Sequence, residues 1–462
     1  MVLAAAIFLP EKNVPMRWMV VLGSMWFAVF GAIVAPAAEV TARYTYPSSV
    51  TPELTHLKAE LNYDSRRTGA PIAVVMHGFS GSDGHFHRYR PHAQRLRDRG
   101  FFVLTVAMRG RDGSDGVRDS GGVEIHDIYD AVEAVVADGR FARLVDGTTV
   151  YITGYSGGGG NVMSALTKFP DYFRAGAAFF GMSDYGYDPA CAWWHHGSAA
   201  SHRAILARDV GNPETGGPAV RDRYMARASN LASRNNPYTE IHLFVNHDET
   251  TCPPVHSTSY RDLAVAGSCS IRTLKPELQQ QAPCGTTAPA GRFGNIRVHL
   301  GRPGRYHDFN GDGADQPEEH QYWPHHAPTA DEQAAAERWF LDRLLAGEIA
   351  RPELNDAGSL FVAGYVKTRK FSLWLGDGRN AAAELDYALS DAHMQFAMQL
   401  LTSDRQATGA LRVDTSRMGG RPIDVLRNGK RVDSFRGGGW YAYPGLSHGD
   451  VLRLQAAPAG DE

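Results

Sequence analysis

Residues 149–169 read TVYITGYSGGGGNVMSALTKF, and this stretch carries the strongest fold signal of the chain. An apolar, β-branched run ends at Gly154, and a run with helical spacing follows the glycines. Between them, residues 154–158 fit the pattern G-x-S-x-G, in which a strand turns sharply into a helix and exposes a serine hydroxyl. A glycine-rich loop that contains a serine by chance is the alternative. The strand before and the helix after favour Ser156 as a nucleophile.

Outward from this stretch, short apolar runs alternate with helical patterns from residue 71 to about residue 347. Apolar strands separated by helices predict a mostly parallel sheet with helices on both faces, an α/β fold. Residues 182–236 interrupt the alternation with the run CAWWHHG and few regular signals. We interpret them as an insertion over the carboxyl edge of the sheet, where a lid or pocket wall would lie, within a catalytic domain of residues 38–350.

Residues 355–462 have a different pattern, with short alternating runs separated by turns, which predicts an all-β sandwich domain. The dipeptide Asn428-Gly429 predicts a two-residue hairpin. Three aromatic residues of this part either belong to its core or form a sugar-binding face, and the core interpretation is favoured. They are Trp374, Trp440 and Tyr441.

The N-terminal segment differs from the rest of the chain. Lys12 and Arg17 precede an apolar run, and Ala35-Pro36-Ala37 follows it, which is the layout of a secretory signal. A retained membrane anchor is the alternative. We therefore expect residues 1–37 to be a signal peptide, with no stable membrane anchor after cleavage and a secreted or periplasmic location. The formal net charge of −3 gives no general attraction to nucleic acid.

The chain has four cysteines, which would form disulfides in an oxidising compartment. Four cysteines allow three connectivities. We favour Cys269–Cys284, which would close a short polar loop, together with Cys191–Cys252. Free buried thiols are the alternative.

A nucleophilic serine requires an oxyanion hole, an acid and a histidine base. The backbone N–H groups of Gly157 and Phe79 are the candidate oxyanion donors, and the neighbouring His77 is assigned a structural role. The acid belongs after a later strand, where Asp248 and Glu249 both lie. Beyond the last strand, the candidate bases include His307 and His320.

The stretch DFNGDGADQPEE, residues 308–319, fits the calcium-loop pattern D-x-[DN]-x-[DN]-G-x₅-E at every constrained position. A polar loop without an ion is the alternative. We hypothesise that a structural Ca²⁺ orders the segment that carries His320. The predicted ligands are oxygens of Asp308, Asn310, Asp312, Ala314 and Glu319.

These parts resemble the α/β-hydrolase fold, and residues 71–345 are similar to prolyl-oligopeptidase-type catalytic domains and to the acetyl xylan esterase/cephalosporin deacetylase group. The resemblance rests on HGFSGSDGHFHRY, MRGRDGSDG, GYSGGGGN, ETTCPP and HQYWP. In those esterases the acid stands four residues before a Pro-Pro pair, and the histidine opens an H-x-Y-x-P-like stretch. The resemblance therefore implies Glu249 and His320 as the partners of Ser156, with Asp248 and His307 as the second choices.

The resemblance implies a serine esterase that works through an acyl-enzyme, acts on acetylated polysaccharide and needs no organic cofactor. A prolyl-oligopeptidase-like peptidase and a polyester depolymerase are the alternatives. A non-catalytic calcium-dependent binding protein is a further hypothesis. The family has a glutamine at the position of Arg111 and another at the position of Gly157. These two departures affect the expected substrate more than the expected chemistry.

Overall fold

The computed structural model describes residues 38–79, 84–236, 239–274, 292–293, 295–301 and 329–457. The expected signal peptide, the calcium loop, His307 and His320 lie outside the described residues. The same holds for Cys284 and for the side chain of Cys269.

A nine-stranded sheet forms the centre of the first part, in the order β1-β2-β4-β3-β5-β6-β7-β9-β8. The strands from β4 to β9 in this order pair in parallel, and antiparallel pairs lie at both ends. This strand order is that of the α/β-hydrolase fold. The strands are β1 Glu39–Tyr46, β2 Leu57–Asp64, β3 Ala70–Met76, β4 Phe102–Val106, β5 Val145–Tyr155, β6 Ala175–Phe179, β7 Glu240–Asn246, β8 Arg292–Phe293 and β9 Ile296–Gly301.

The central strands are apolar because both faces of the sheet are covered. All five residues of β4 and of β6 are buried, which is typical of parallel strands between two helix layers. With the right-handed crossovers that parallel strands require, this strand order puts α1 on one face and α2 and α3 on the other, and α7 packs against α1. The helices are α1 His85–Arg99, α2 His126–Ala137, α3 Gly157–Lys168, α4 Ala200–Asp209, α5 Gly217–Met225, α6 Val255–Leu274 and α7 Ala330–Leu345.

The first two strands were not expected, because the alternation was recognised only from residue 71. β1 and β2 form an antiparallel hairpin, and β2 pairs with β4. The outermost strand β1 buries only Tyr44 and Tyr46, so it lacks the apolar run that marks the central strands.

The C-terminal part is a sandwich of two antiparallel sheets, in the orders β10-β13-β14-β19-β16-β17 and β11-β12-β15-β18. Residues of both sheets contribute to one buried apolar cluster. The strands are β10 Ala357–Ala363, β11 Tyr365–Lys367, β12 Phe371–Leu375, β13 Ala382–Leu389, β14 His393–Leu400, β15 Gly409–Asp414, β16 Pro422–Arg427, β17 Lys430–Arg436, β18 Trp440–Leu446 and β19 Val451–Ala456.

The predicted hairpin is present between β16 and β17. Arg427 pairs with Lys430, and the two residues between them have φ values of 51° at Asn428 and 77° at Gly429. Positive φ at both central positions is the geometry that favours Asn-Gly.

The sandwich and the α/β part share a buried junction. Phe361 of β10 donates its N–H to the Asn235 side chain at 2.9 Å, and the Asn235 amide donates to the Phe361 carbonyl at 2.8 Å. Trp374 stacks on Tyr365 with ring centroids 4.4 Å apart, at the edge of the α/β core. Trp374 is therefore a packing residue, whereas Trp440 is 51% exposed.

The expected Cys191–Cys252 disulfide is wrong, because both residues are buried free thiols. Each has different neighbours. The Cys191 sulfur accepts a hydrogen bond from the Asn230 side chain at 3.4 Å and lies 3.9 Å from Asp184. Cys252 instead contacts the side chain of Ser156, so burial in two separate polar environments has replaced the expected bridge.

Candidate active site

Ser156 occupies a sharp turn between β5, which ends at Tyr155, and α3, which begins at Gly157. Its φ of 56° and ψ of −128° are unusual for a residue with a side chain, and the surrounding structure has to hold them. The Ser156 N–H donates to the Phe179 carbonyl at 2.8 Å, and Gly160 N–H donates to the Ser156 carbonyl at 3.1 Å. The turn has the backbone geometry that the G-x-S-x-G pattern predicts.

The glycines around Ser156 allow backbones to touch. A Cβ at Gly157 would collide with the backbone nitrogen of Phe79, and one at Gly158 would lie 2.5 Å from the Met76 carbonyl oxygen. A Cβ at Gly154 would lie 2.8 Å from the Gly158 carbonyl carbon. Side chains at these positions would therefore push α3 away from the ends of β3 and β5.

The close contact places the two expected oxyanion donors side by side. Gly157 is the first residue of α3, so its N–H has no partner within the helix. Phe79 follows the end of β3, and its backbone nitrogen lies against Gly157. Two adjacent backbone N–H groups at a helix N-terminus can stabilise negative charge on a carbonyl oxygen.

His77 has the structural role assigned to it. Its Nδ1 lies 2.8 Å from the Gly78 carbonyl oxygen and its Nε2 lies 3.0 Å from the Ala107 carbonyl oxygen. Burial, followed by the charge of Arg111, lowers the pKa of His77 well below its ordinary value. A neutral imidazole has one N–H and can donate to only one of these carbonyls, but both ring nitrogens face backbone at the ends of β3 and β4, which fits a structural role.

A buried aromatic wall stands beside the oxyanion donors. The Phe79 ring lies 5.0 Å from Trp193 and 6.0 Å from Tyr185, measured between ring centroids. His202 stacks on Trp193 at 4.9 Å. Trp193, Tyr185 and His202 all lie within residues 182–236, so this segment packs against Phe79 at the carboxyl edge of the sheet.

The acid candidates lie in the loop after β7. Glu249 is half-buried, and its Oε1 accepts hydrogen bonds from the backbone N–H groups of Thr251 at 2.7 Å and Cys252 at 3.3 Å. Asp248 is exposed. The Trp193 indole donates to the Thr251 carbonyl at 2.7 Å, which ties the insertion to this loop. The loop therefore orients Glu249 through its own backbone.

Cys252 connects the acid loop to the nucleophile, and sequence reasoning did not assign it this place. Its thiol is fully buried and lies close to the Ser156 side chain. Burial raises the pKa of Cys252 well above its ordinary value, and the negative charge of Glu249 raises it further. Ser156, Cys252 and Glu249 therefore belong to one local environment, although they are almost a hundred residues apart. The only signal in the sequence is that Cys252 follows the acid candidate by three residues.

Two buried ion pairs hold the loop that follows β4. Arg109 binds Asp127 of α2 through its Nη2 at 2.5 Å and its Nε at 2.9 Å. Arg111 donates to Glu124 at 2.9 Å. Burial opposes the ionisation of Glu124, but Arg111 and two backbone N–H groups overcome it and lower its pKa to about 2. Arg109 and Arg111 thus anchor this loop, and their partners on α2 and just before it have no signal in the sequence.

The base and the calcium loop lie outside the described residues, so the structure places Ser156, Phe79, Gly157, Asp248 and Glu249 only. Among the residues that the structure describes, no group of three or more His, Cys, Asp or Glu side chains is arranged to hold a metal ion. No helix in this part of the chain is long and apolar enough to cross a membrane.

Comparison with known families gives one match: residues 87–204 match the sequence model of the prolyl oligopeptidase family, Peptidase_S9. This stretch includes Ser156 and is well under half of the chain. It confirms the resemblance to prolyl-oligopeptidase-type catalytic domains in this region. Comparison with curated protein sequences finds no match.

Similar solved structures include an acylaminoacyl peptidase of Pyrococcus horikoshii, with 17% identity, a TM-score of 0.39 and coverage of 49% of this chain and 35% of that chain. A puromycin-hydrolysing peptidase of Mycobacterium tuberculosis has 20% identity, a TM-score of 0.39 and coverage of 50% and 34%. Oligopeptidase B of Leishmania major has 15% identity, a TM-score of 0.39 and coverage of 56% and 32%. The chain spans about a third of the length of each.

The strand order and the family match together support a hydrolase of the α/β-hydrolase fold with a β-sandwich at its C-terminal end.

Proposed function

We propose that the chain is a serine peptidase that cleaves a peptide or other acyl-amide bond through an acyl-enzyme on Ser156. The observation that carries this proposal is the strained turn that holds Ser156 next to the paired backbone N–H groups of Gly157 and Phe79. The match of residues 87–204 to a peptidase family favours an amide substrate over an ester.

In the proposed reaction the Ser156 hydroxyl oxygen attacks the substrate carbonyl carbon, and the base His320 takes the hydroxyl proton. The N–H groups of Gly157 and Phe79 bind the oxyanion that forms. The carbon–nitrogen bond then breaks, and the departing amine receives the proton from the histidine. Water attacks the acyl-enzyme next, giving a proton to His320, and the acid is released as Ser156 regains its hydrogen.

Glu249 is the proposed acid of this site. Its Oε1 is fixed by the N–H groups of Thr251 and Cys252, and the neighbouring Cys252 thiol contacts Ser156. A carboxylate held in this way can orient a histidine and stabilise the imidazolium that forms during the reaction. Glu249 is therefore preferred over the exposed Asp248.

The aromatic wall suggests what the substrate presents to the site. Phe79, Tyr185 and Trp193 are each buried and pack against one another beside the oxyanion donors, with Phe79 and Trp193 in a T-shaped arrangement. A site whose wall is apolar favours an apolar side chain on the acyl portion of the substrate. We therefore expect cleavage after large apolar residues.

A carbohydrate esterase is the second candidate. The observation that favours it is the acid loop, where Glu249 precedes Pro253-Pro254 with the spacing found in acetyl xylan esterases, and its backbone is ordered around the carboxylate. The same acyl-enzyme chemistry would release acetate from a polysaccharide. A polyester substrate belongs to this candidate, and a secreted or periplasmic location suits both substrates.

The deciding experiment compares the wild type and Ser156→Ala on three substrates: apolar aminoacyl 4-nitroanilides, acetylated xylan and a 4-nitrophenyl ester. Amide hydrolysis that falls by roughly 10⁴-fold or more in the variant supports the peptidase. Acetate release without amide hydrolysis would replace it with the esterase. No turnover of any substrate by well-folded protein would contradict both.

The assignment of acid and base is tested separately. His320→Ala and Glu249→Gln should each lower kcat by more than about 100-fold, because proton transfer and its orientation are lost. The matched controls are His307→Ala and Asp248→Asn, the second choices from the sequence. If His307→Ala abolishes turnover and His320→Ala does not, His307 is the base. The same comparison between Asp248→Asn and Glu249→Gln identifies the acid.

A further inference from the structure

We propose that a cavity at the junction of the α/β part and the β-sandwich is a second binding site, for a carboxylate-bearing sugar. The cavity has a volume of about 410 Å³. It is lined from one side by α2 and the residues after α3, and from the other by β11, β12, β15 and β18. This inference does not depend on the proposed function, because the site takes no part in the reaction.

The cavity and Ser156 lie at opposite ends of β5. Gly147, near the start of this strand, lines the cavity, whereas Ser156 follows its last residue. The strand runs in register with β3 from Val150 onward, and at about 3.3 Å per residue this part alone separates the two by roughly 20 Å. A ligand in the cavity therefore binds away from the nucleophile.

The lining carries an excess of positive charge. Four cations, Arg351, Lys367, Arg369 and Arg412, face two carboxylates, Glu133 and Asp171, which leaves 4 − 2 = 2 net positive charges. A cavity with this balance favours an anionic ligand.

Both carboxylates of the lining already have protein partners. Asp171 accepts hydrogen bonds from the backbone N–H of Arg369 at 3.0 and 3.2 Å, and the Arg369 Nε lies 3.5 Å away. Glu133 accepts a hydrogen bond from the Tyr172 hydroxyl at 2.7 Å. Neither carboxylate forms a close ion pair with the other three cations, although Glu133 acts on Lys367 and Asp171 acts on Arg351 at longer range.

Those three cations, Arg351, Lys367 and Arg412, have no carboxylate within 4.0 Å among the described residues. The pKa of Lys367 is lowered, chiefly by burial, and burial together with Arg369 lowers the pKa of Arg351. In both cases burial disfavours the charged form, and the more distant carboxylates only partly offset this effect. An incoming carboxylate would supply the missing negative charge.

Aromatic rings give the cavity a surface suited to a sugar. Lys367 Nζ lies 4.1 Å from the centroid of the Tyr129 ring, and the Arg412 guanidinium carbon lies 5.7 Å from that of Trp440. Half of Trp440 remains exposed, although a large indole in a packed sandwich is ordinarily buried. An exposed indole face beside a guanidinium can contact the C–H face of a sugar while the guanidinium binds its carboxylate. Free phosphate would use only the cations.

The experiment is titration calorimetry of the full chain with trigalacturonate, with xylotriose as a neutral sugar, with inorganic phosphate, and with a tri-glutamate peptide. We expect trigalacturonate to bind and the other three ligands to bind at least about tenfold more weakly, because each lacks either the charge or the sugar face. Binding should weaken with added salt.

Variants separate the site from the rest of the surface. Arg412→Gln and Trp440→Ala should each lower the affinity for trigalacturonate by about tenfold or more, since one charge-assisted hydrogen bond or one ring contact is lost. Arg453→Gln is the matched control, because Arg453 is an exposed arginine of the same sandwich that contacts Gln395 and does not line the cavity. Ser156→Ala should bind as the wild type does, whatever becomes of the proposed function.

Three outcomes would overturn the inference. They are equal or tighter binding of phosphate or of the acidic peptide, unchanged affinity in both cavity variants, and no binding of trigalacturonate by folded protein.

Discussion

The two ends of β5 carry two differently built regions. At the carboxyl end, five consecutive residues, 154–158, produce a turn whose working groups are backbone N–H donors beside Ser156. At the other end, the cavity is lined by long side chains from several separate segments, and its working groups are cations beside Trp440. A group that must meet developing charge with fixed geometry is best supplied by rigid backbone, whereas side chains can adapt to a bound ligand.

The same two regions differ in how their charges are satisfied. Near the turn, Arg109 and Arg111 are each buried and paired, with Asp127 and Glu124. In the cavity, Arg412 lies over a ring and has no paired carboxylate among the described residues. Paired buried charges stabilise one arrangement of the loop, while an uncompensated charge is available to a ligand.

The largest effect is expected from Gly157→Ala, which tests the backbone donors at the carboxyl end of β5. The new Cβ would collide with the backbone of Phe79 and displace one oxyanion donor, so we expect kcat to fall by about 10²- to 10³-fold. The control is Gly139→Ala, since a Cβ there meets nothing within 4 Å. Steady-state kinetics alongside thermal unfolding would check the prediction, and unchanged kcat in a folded variant would contradict the assigned oxyanion hole.

Calcium chelation tests whether a bound ion also stabilises the candidate active site at the carboxyl end of β5. If Ca²⁺ bound by residues 308–319 orders the segment with His320, chelation should lower both the melting temperature and turnover. An ion present at 100 times its dissociation constant contributes about 2.7 kcal/mol to the stability of the folded state. Asp312→Asn should reduce the response to added Ca²⁺. If EGTA changes neither the melting temperature nor turnover, the calcium hypothesis is wrong.

The junction near the cavity can be tested through pH. Lys168, at the end of α3, is fully buried, its Nζ donates to the carbonyls of Ala226 and Ala363, and burial lowers its pKa from the ordinary 10.5 to about 7. Between these two values the unfolded chain binds a proton that the folded chain lacks, so stability must rise with pH. We expect the free energy of unfolding to increase by up to about 2 kcal/mol between about pH 7 and about pH 9.

Chemical denaturation at several pH values measures this slope. In Lys168→Met the free energy of unfolding should rise less with pH, because the titrating amine is gone. The variant also leaves two carbonyls without their donor, so we expect lower stability at every pH. Lys430→Met is the control, because Lys430 is exposed in the β16–β17 hairpin. Equal slopes for wild type and Lys168→Met would mean that Lys168 stays charged in the folded state.

The smallest effect is expected far from both regions, at Gly429→Ala. Its φ of 77° is unfavourable for alanine, but a Cβ there meets nothing within 4 Å, so strain alone should cost about 1 kcal/mol. Thermal unfolding would measure the loss, with Gly420→Ala as the control at a glycine that also has open space around it. Turnover should not change, because the hairpin touches neither end of β5.

The central strands and the turn could be predicted because their signals are local. β7, Glu240–Asn246, is one of the strands that the alternation from residue 71 onward predicts, and the turn at Ser156 follows its pattern. The edge strand β1 was missed because it keeps one side exposed, and β2 was missed because its buried positions include the polar residues Glu60 and Asn62, so neither has a continuous apolar run. The disulfide between Cys191 and Cys252 was wrong because spacing along a chain does not state which residues meet in space.

By itself, the sequence determined the α/β class, the sandwich with its Asn428-Gly429 hairpin, and the turn that holds Ser156. Each of these depends on neighbours within a few residues, since periodicity and turn geometry are local properties of the backbone. Only the tertiary structure decided that Cys252 touches Ser156, that Arg109 and Arg111 find their partners on and beside α2, and that cations of several segments surround one cavity. Such contacts join segments far apart in the chain, and they exist only once the sheet and the sandwich have packed.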